Sequence, residues 1–205
     1  MTETVDHGGG LDAAARAFGG VRADWLDLST GINPCPYPVG PVRAASWADL
    51  PDSDAFAGLE AAARAFWQVP PGAAVLAAAG ASALIARLPL LAAAGPVNIP
   101  EPTYNEHGRA FRAAGWQVTQ GAARARVLVH PNNPDGRVRT RDDIAELTII
   151  DESFCDVMPE ASLMAEATRP GVIILKSFGK FWGLAGLRLG LLCAGGSFYY
   201  HLSAR

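Results

Sequence analysis

Lysine is the scarcest charged residue in this sequence. Lys and Arg together number 17, and only Lys176 and Lys180 are lysines. Both fall within residues 171–190, where an apolar run leads into a glycine-rich segment. Arginine cannot replace lysine as an amine nucleophile, because its guanidinium stays protonated. The pattern therefore indicates that at least one of these lysines is needed for its amine.

Cysteine is also scarce, and its spacing excludes two common roles. Cys35, Cys155 and Cys193 are odd in number and widely separated, with no C-x-x-C pair. Neither a disulfide framework nor a zinc site is indicated, so no metal is expected.

Strong charge and long apolar spans are missing as well. The net charge of −3 gives no indication of binding to nucleic acid or to an anionic membrane. The polar, glycine-rich N-terminus has no signal-peptide core, which predicts a cytoplasmic protein. The stretch from Ala73 to Ala94 is long enough to span a bilayer but contains Gly80, Arg87 and Pro89. We interpret it as a strand, a glycine turn and a helix.

Short apolar strands that alternate with helices are what the chain does contain. This alternation predicts an α/β domain with a mostly parallel central sheet and helices on both faces. The amphipathic or capped stretches predict helices over residues 11–18, 52–67, 83–91, 105–114 and 140–147. Residues 1–50, with their proline-rich part, are expected to form an arm and an irregular substrate-side segment. Residues 51–205 are expected to form the cofactor-binding large domain.

Polar side chains collect just after the predicted strands. They are Ser82, Tyr104, Asn133, Asp151 and Lys180, with Ala81 in the first turn. In open α/β sheets a ligand lies at the carboxyl ends of the strands. Separate loops are thus predicted to meet at one edge.

The setting of Lys180 indicates a cofactor. Phe178, Phe181 and Trp182 would desolvate its ammonium and lower its pKa, so that it can form a Schiff base with a carbonyl. Ser177 and Arg188 offer a hydroxyl and a bidentate guanidinium that suit a phosphate. An aldehyde that carries a phosphate is pyridoxal phosphate (PLP).

The remaining parts of a PLP site are present in order. Asp151 can face the pyridine nitrogen and keep it protonated, which makes the ring an electron sink. Asn133 can donate to the ring hydroxyl, and Tyr104 can stack on the ring. The backbone at Ala81 and Ser82 can help to hold the phosphate. Lys180 is the candidate catalytic residue.

These residues carry a resemblance to the fold-type I, class I/II aminotransferase superfamily of PLP enzymes. The matching strings are Gly80-Ala81-Ser82-Ala83-Leu84-Ile85, Pro102-Thr103-Tyr104, Pro131-Asn132-Asn133-Pro134-Asp135-Gly136, Asp151-Glu152-Ser153-Phe154 and Ser177-Phe178-Gly179-Lys180 with Gly183-Leu184-Ala185-Gly186-Leu187-Arg188-Leu189-Gly190. The last string is the most specific, and the resemblance covers nearly the whole chain.

Within that superfamily the chain resembles the threonine-phosphate decarboxylases, near the histidinol-phosphate aminotransferases. The strings that carry this are His7-Gly8-Gly9, Leu28-Ser29-Thr30-Gly31-Ile32-Asn33-Pro34, Leu50-Pro51-Asp52, Pro102-Thr103-Tyr104-Asn105-Glu106-His107 and Ser177-Phe178-Gly179-Lys180-Phe181-Trp182-Gly183. The resemblance implies a homodimer that removes the carboxylate of a small phosphorylated amino acid, O-phospho-L-threonine, in cobalamin biosynthesis. It also implies that His7, Gly8, Gly31 and Asn33 bind the substrate.

The sequence departs from the family pattern in several places. Phe154 stands where many relatives have a tyrosine that bonds the ring oxygen, which would leave that role to Asn133. Leu50 stands where many relatives have a tyrosine that reaches the neighbouring subunit's phosphate. The chain ends at Arg205, where relatives continue, so the small C-terminal domain is expected to be missing.

Other functions remain open at this point. An aminotransferase would use the same residues, and no residue separates it from a decarboxylase. A truncated chain could be an inactive remnant. Ser177 and Lys180 also form an S-x-x-K pattern, but the S-D-N and K-T-G strings of a penicillin-binding serine hydrolase are not present.

Overall fold

The computed structural model describes residues 8–195 and is built on a seven-stranded sheet. Its strands are β1 (Ala73–Ala78), β2 (Pro96–Asn98), β3 (Gln117–Thr119), β4 (Ala125–Val129), β5 (Leu147–Asp151), β6 (Val172–Ser177) and β7 (Gly190–Gly195). Their order across the sheet is β1-β7-β6-β5-β4-β2-β3.

Most neighbouring strands are parallel. The pairs β2–β3, β2–β4, β4–β5 and β5–β6 run in the same direction. This confirms the predicted mostly parallel sheet. Only β7 is antiparallel to its neighbours, β1 and β6. Its first residue, Gly190, therefore lies beside Ala78 and Ser177, at the edge where the parallel strands end.

Helices cover both faces of the sheet, as predicted. They are α1 (Leu11–Phe18), α2 (Ala45–Ala48), α3 (Ser53–Trp67), α4 (Ala81–Arg87) and α5 (Asn105–Ala113). One face packs against α4 and α5, and the other packs against α3 and a series of 3-10 turns over residues 155–168.

Strand β6 shows how alternation divides the core. Ile173 and Leu175 belong to the cluster under α4 and α5, whereas Val172 and Ile174 belong to the cluster under α3. All four side chains are fully buried, and each such burial contributes about 1.5–3 kcal/mol. Lys176 follows in this alternation and lies on the α3 side.

Most predicted elements are present, and α3 begins as the sequence indicates. Asp52 caps this helix by accepting a hydrogen bond from the backbone N–H of Ala55 at 2.8 Å. The stretch that could have been mistaken for a membrane span is β1, a glycine turn and α4 followed by a 3-10 turn. Among the residues described, we find no helix with the length and apolar character needed to cross a membrane.

The predicted helix over residues 140–147 is wrong. Only a 3-10 turn, Arg141–Asp143, forms there. The Asp143 carbonyl, which a helix would use to accept from Leu147, accepts instead from the Arg126 side chain at 2.7 Å. The N–H of Leu147 bonds the Arg124 carbonyl at 3.1 Å as β5 begins. Pairing in the sheet thus takes the groups that would extend the helix.

Candidate active site

A cavity of about 230 Å³ opens at the carboxyl edge of the sheet. Its lining includes every residue predicted to hold the cofactor, which are Ala81, Ser82, Tyr104, Asn133, Asp151, Ser177, Lys180 and Arg188. These residues come from loops far apart in sequence. The structure therefore brings together in one place the groups that the sequence singled out.

Lys180 lies half-buried in the segment between β6 and β7. Burial lowers the pKa of its amine, and the nearby Asp151 carboxylate opposes that change. Its Nζ atom lies 5.6 Å from the centre of the Phe154 ring. The direction of the pKa change agrees with the sequence-based prediction, but the ring beside the amine belongs to Phe154, whereas Phe178, Phe181 and Trp182 were expected there. A larger share of this lysine is thus neutral and nucleophilic than of an exposed one.

Asp151 is the last residue of β5 and is buried. Burial alone would raise the pKa of its carboxyl, but hydrogen bonds outweigh this and hold the pKa below its ordinary value. They come from the His107 ring at 2.8 Å, the Ser153 hydroxyl at 2.5 Å and the Ser153 backbone N–H at 3.0 Å. The site therefore favours the ionised form of a buried carboxylate.

His107 is a site residue that sequence reasoning missed. It lies in α5, is fully buried, and packs edge-to-face on the Tyr104 ring with centroids 6.0 Å apart. Its Nδ1 atom has no hydrogen-bond partner among the described residues. The available signal was its place three residues after Tyr104, which puts both rings at the start of one helix.

The end of the cavity beside α4 is basic. Arg188 has a left-handed backbone with φ of 52°, and its guanidinium lies directly against Gly80. A Cβ atom on Gly80 would come within 2.8 Å of the Arg188 Nη2 atom, so this glycine makes room for the guanidinium. Ser177 lines the same cavity and accepts a hydrogen bond from the Gly179 N–H at 3.1 Å.

The two neighbouring asparagines have different surroundings. Asn133 lines the cavity. Asn132 is buried, accepts from the Thr103 hydroxyl at 2.6 Å and donates to the Pro102 carbonyl at 2.9 Å. Asn132 therefore ties its own loop to the loop that carries Tyr104, a role that the sequence analysis did not assign.

The residues predicted to bind the substrate, unlike those predicted to hold the cofactor, do not all line the cavity. His7 lies outside the described residues, and Gly8 packs closely on the Ser29 backbone. Gly31 packs against the Phe154 ring. Asn33 uses its side-chain amide to donate to the Phe181 carbonyl at 2.8 Å, which holds the segment that carries Lys180.

Lys176, the second lysine, is buried in an ion pair. Its Nζ atom lies 2.6 Å from Glu152 Oε2, and its side chain is only 1% exposed. Because a buried paired ammonium cannot leave its partner without a large desolvation cost, this amine is not available to a ligand. Lys180 is thus the lysine with an accessible amine.

Three buried side chains, His130, Glu152 and Cys155, are close enough together to raise the question of a metal. Both His130 ring nitrogens are already used, by the Arg139 N–H and the Ala161 carbonyl. Burial raises the pKa of the Cys155 thiol to about 12, and a thiolate is the form that binds metal. A metal there would have to displace existing protein contacts.

The cavity matches PLP group by group. An ionised carboxylate suits a protonated pyridine nitrogen, and a lysine amine of lowered pKa suits an aldehyde. Arg188, Ser177 and the first backbone N–H groups of α4 suit a phosphate. The residues present therefore fit this cofactor.

Comparison with known proteins leads to the same family. The model of the family described as aminotransferase class I and II matches residues 42–197. A threonine-phosphate decarboxylase of Pseudomonas aeruginosa is 42% identical over 206 residues, covering 91% of this chain and 61% of that protein. One from Sinorhizobium sp is 38% identical over 214 residues, covering 95% of this chain and 64% of that protein. The chain thus spans less than two thirds of the length of these curated relatives.

Solved structures share the fold. The histidinol-phosphate aminotransferase of Clostridium acetobutylicum has a TM-score of 0.71 at 19% identity, covering 88% of this chain and 64% of that one. That of Sinorhizobium meliloti, in complex with pyridoxal-5'-phosphate, has a TM-score of 0.69 at 19% identity and covers 85% and 58%. The L-threonine-O-3-phosphate decarboxylase of Porphyromonas gingivalis has a TM-score of 0.62 at 22% identity and covers 72% and 54%. Fold, cavity and family model agree, and the chain belongs to the aminotransferase class I and II family of PLP-dependent enzymes.

Proposed function

We propose that this chain is part of a PLP-dependent lyase that removes the carboxylate of O-phospho-L-threonine. The product would be (R)-1-amino-2-propanol O-phosphate, and the pathway would be cobalamin biosynthesis. The observation that carries the proposal is one cavity lined by Lys180, Asp151 and Arg188. The choice of substrate is supported by the relatives at 38–42% identity, which are named threonine-phosphate decarboxylases.

Each residue of the cavity has a proposed role toward the cofactor. When bound, PLP would supply an electron sink for the electron pair that remains on the substrate α-carbon when the carboxylate leaves as carbon dioxide. Lys180 holds the cofactor through its amine and later moves a proton at the substrate α-carbon. Asp151, kept ionised by His107 and Ser153, holds the proton on the pyridine nitrogen.

The other residues bind and orient. Tyr104 covers the ring, Asn133 donates to the ring hydroxyl, and Ser177 and Arg188 hold the phosphate together with the backbone at Ala81 and Ser82. Phe154 has no hydroxyl, so it excludes water beside the Lys180 amine without donating a hydrogen bond. His7, Gly8, Gly31 and Asn33 are proposed to lie on the substrate side.

The first experiment tests whether Lys180 holds the cofactor. The purified chain is mixed with PLP and reduced with borohydride, and the pyridoxyl group is located by mass spectrometry. We expect one labelled site, on the peptide that contains Lys180, and no label in Lys180→Ala. Labelling of Lys176 in the folded protein would contradict the assignment.

The second experiment separates the lyase from its nearest alternative, an aminotransferase of the histidinol-phosphate type. The chain with PLP is given O-phospho-L-threonine, and the products are identified. Release of carbon dioxide with the amino alcohol phosphate supports the lyase. A keto acid supports the aminotransferase, for which histidinol-phosphate aminotransferases at 26% identity are the precedent. No product from a chain that binds PLP would contradict the proposed substrate, and the same assay with histidinol phosphate would then separate the aminotransferase from an inactive remnant.

We also propose that the protein acts as a homodimer through its N-terminal segment. Several large apolar side chains there are almost fully exposed, including Leu26, Leu28, Trp47 and Leu50, of which Leu50 is 92% exposed. Exposed apolar residues gathered in one region mark interaction surfaces, and two-fold dimers are the commonest assembly. A second copy of the chain is the proposed partner.

A further inference from the structure

Trp182 links the segment that carries Lys180 to the buried carboxylate of Asp156. It lies two residues after Lys180 in the chain, and its ring N–H donates to Asp156 Oδ2 at 3.0 Å. The Asp156 side chain is 3% exposed. Hydrogen bonds to the carboxylate of an ion pair are stronger than those between neutral groups, and Asp156 pairs with Lys176, so this contact can hold the segment in place.

Asp156 is itself fixed by further partners. Its Oδ1 atom accepts from the Trp67 ring N–H at 2.7 Å and lies 3.7 Å from Lys176 Nζ. Lys176 is ion-paired with Glu152, which also accepts from the Ser162 hydroxyl at 2.7 Å. Because unpairing a buried charge is strongly destabilising, this network gives Asp156 a single position.

The N-terminal segment holds the same region from the outside. Asn33 donates its backbone N–H to the Lys180 carbonyl at 3.0 Å, and Tyr37 donates to the Trp182 carbonyl at 2.8 Å. The Trp182 ring packs against Tyr37 and Phe66, with centroids 5.2 and 5.0 Å away. Residues 180–182 are thus held by Asp156 on one side and by the N-terminal segment on the other. The Lys180 side chain lines the cavity.

From this arrangement we infer that Trp182 is a positioning residue for Lys180. Its hydrogen bond to Asp156 fixes the backbone of residues 178–184, and that backbone sets where the Lys180 amine lies in the cavity. The buried Lys176, whose Nζ atom lies 3.7 Å from Asp156 Oδ1, helps to hold that carboxylate in place. The effect of Trp182 on the backbone of this segment does not depend on the proposed function, whereas its effect on cofactor binding does.

Two matched variants test this inference. Trp182→Phe and Trp67→Phe each keep an aromatic ring and remove one N–H donor from the same Asp156 carboxylate, but only Trp182 belongs to the Lys180 segment. Hydrogen exchange of residues 178–184 is measured without PLP. The dissociation constant of PLP and the absorbance spectrum of the bound cofactor are then measured for each variant.

We expect exchange of residues 178–184 to be about tenfold faster in Trp182→Phe, which corresponds to about 1.4 kcal/mol. PLP should bind about tenfold more weakly, with an altered spectrum. Trp67→Phe should lower the Tm and should change the exchange of this segment and the spectrum much less than Trp182→Phe does, because it leaves the bond between Trp182 and Asp156 in place. Equal effects of the two variants, or no effect of Trp182→Phe, would overturn the inference.

A measurement on the unsubstituted protein guards against a variant that does not fold. Exchange in residues 178–184 should be slower than in the exposed turn over residues 120–124. Equal rates would also overturn the inference. Failure of PLP to bind at all would count against the proposed function, while the exchange experiment would still decide the structural role of Trp182.

Discussion

At the scale of single residues, the two lysines differ in the availability of their amines. Burial lowers the pKa of Lys180, so it should react with an acylating reagent with a midpoint below the ordinary lysine value of about 10.4. Lys176, buried and ion-paired, should react only when the protein unfolds. Competitive labelling across a pH series, read by mass spectrometry, measures both. Faster labelling of Lys176 in the folded chain would contradict this prediction.

Ser153 offers a test of how the Asp151 carboxylate is kept ionised. Ser153→Ala removes the hydroxyl that donates to Asp151, so the free energy of unfolding at neutral pH should fall by about 1–3 kcal/mol. The folded-state pKa of Asp151 is below its unfolded value, so its stabilising contribution is complete above the unfolded value, about 3.9, and is lost as the pH falls toward the folded one.

The difference between the parent and Ser153→Ala should therefore shrink in acid. Urea unfolding at a series of pH values measures it, and Ser29→Ala, whose exposed hydroxyl bonds Asp27, is a control expected to change the stability little. A difference that grows on acidification would show that the hydroxyl does not support the ionised carboxylate.

Residue roles were predictable where a side chain acts through its place in a local motif. Lys180, Asp151 and Arg188 follow strand ends or a glycine-rich string, and they do line one cavity. His107 was missed because its partner, Asp151, is 44 residues away in sequence. The bond between Trp182 and Asp156 spans 26 residues and was missed for the same reason. Periodicity reports which face a residue occupies, but not which distant group it meets.

At the scale of elements, the first residue of β7 packs tightly against the first residue of α4. A Cβ atom on Gly190 would lie 2.5 Å from the Ala81 backbone nitrogen. Gly190→Ala should therefore push the beginning of α4 away from β7 and cost about 1–3 kcal/mol of stability. Its affinity for PLP should fall as well, because Ala81 and Ser82 line the cavity.

Gly186→Ala is the matched control, since a Cβ atom there would meet nothing within 4 Å. It should leave the Tm and PLP binding near the parent values. Thermal unfolding and PLP titration of both variants give the comparison. Equal behaviour of the two would show that the contact between β7 and α4 does not set the cavity.

Element prediction succeeded where local signals and tertiary pairing agree. Helix α3 has a capping aspartate and a sustained apolar face, and it forms as expected. The segment after Thr140 carries a similar cap, but Arg126 and Arg124 take the hydrogen bonds that would extend it into a helix. Forming the first turn of a helix costs free energy, and a short helix gains too few hydrogen bonds to offset that cost. Pairing in the neighbouring strand is therefore favoured here.

At the scale of the whole molecule, the alternation of strands and helices predicted the fold class, but not the direction of β7. Strand β7 is antiparallel because the chain turns back after β6 and begins β7 at the edge of the sheet where β6 ends, with Gly190 beside Ser177. A glycine-rich string alone does not reveal whether the chain crosses over or turns back. That return places Lys180 and Arg188 in one loop region facing the ends of the parallel strands.

Assembly supplies the last prediction. If the exposed apolar N-terminal segment joins two copies, Leu50→Asp should place a charge in the interface and weaken dimerisation at least about tenfold, which is 1.4 kcal/mol. Since Leu50 is almost fully exposed within one chain, the Tm of the monomer should hardly change. Leu90→Asp, an exposed leucine beyond α4, is the control and should leave the dimer intact. Light scattering over a dilution series gives the mass of each variant. A parent chain that is monomeric at every concentration, or equal weakening by both substitutions, would exclude the N-terminal segment as the dimer interface.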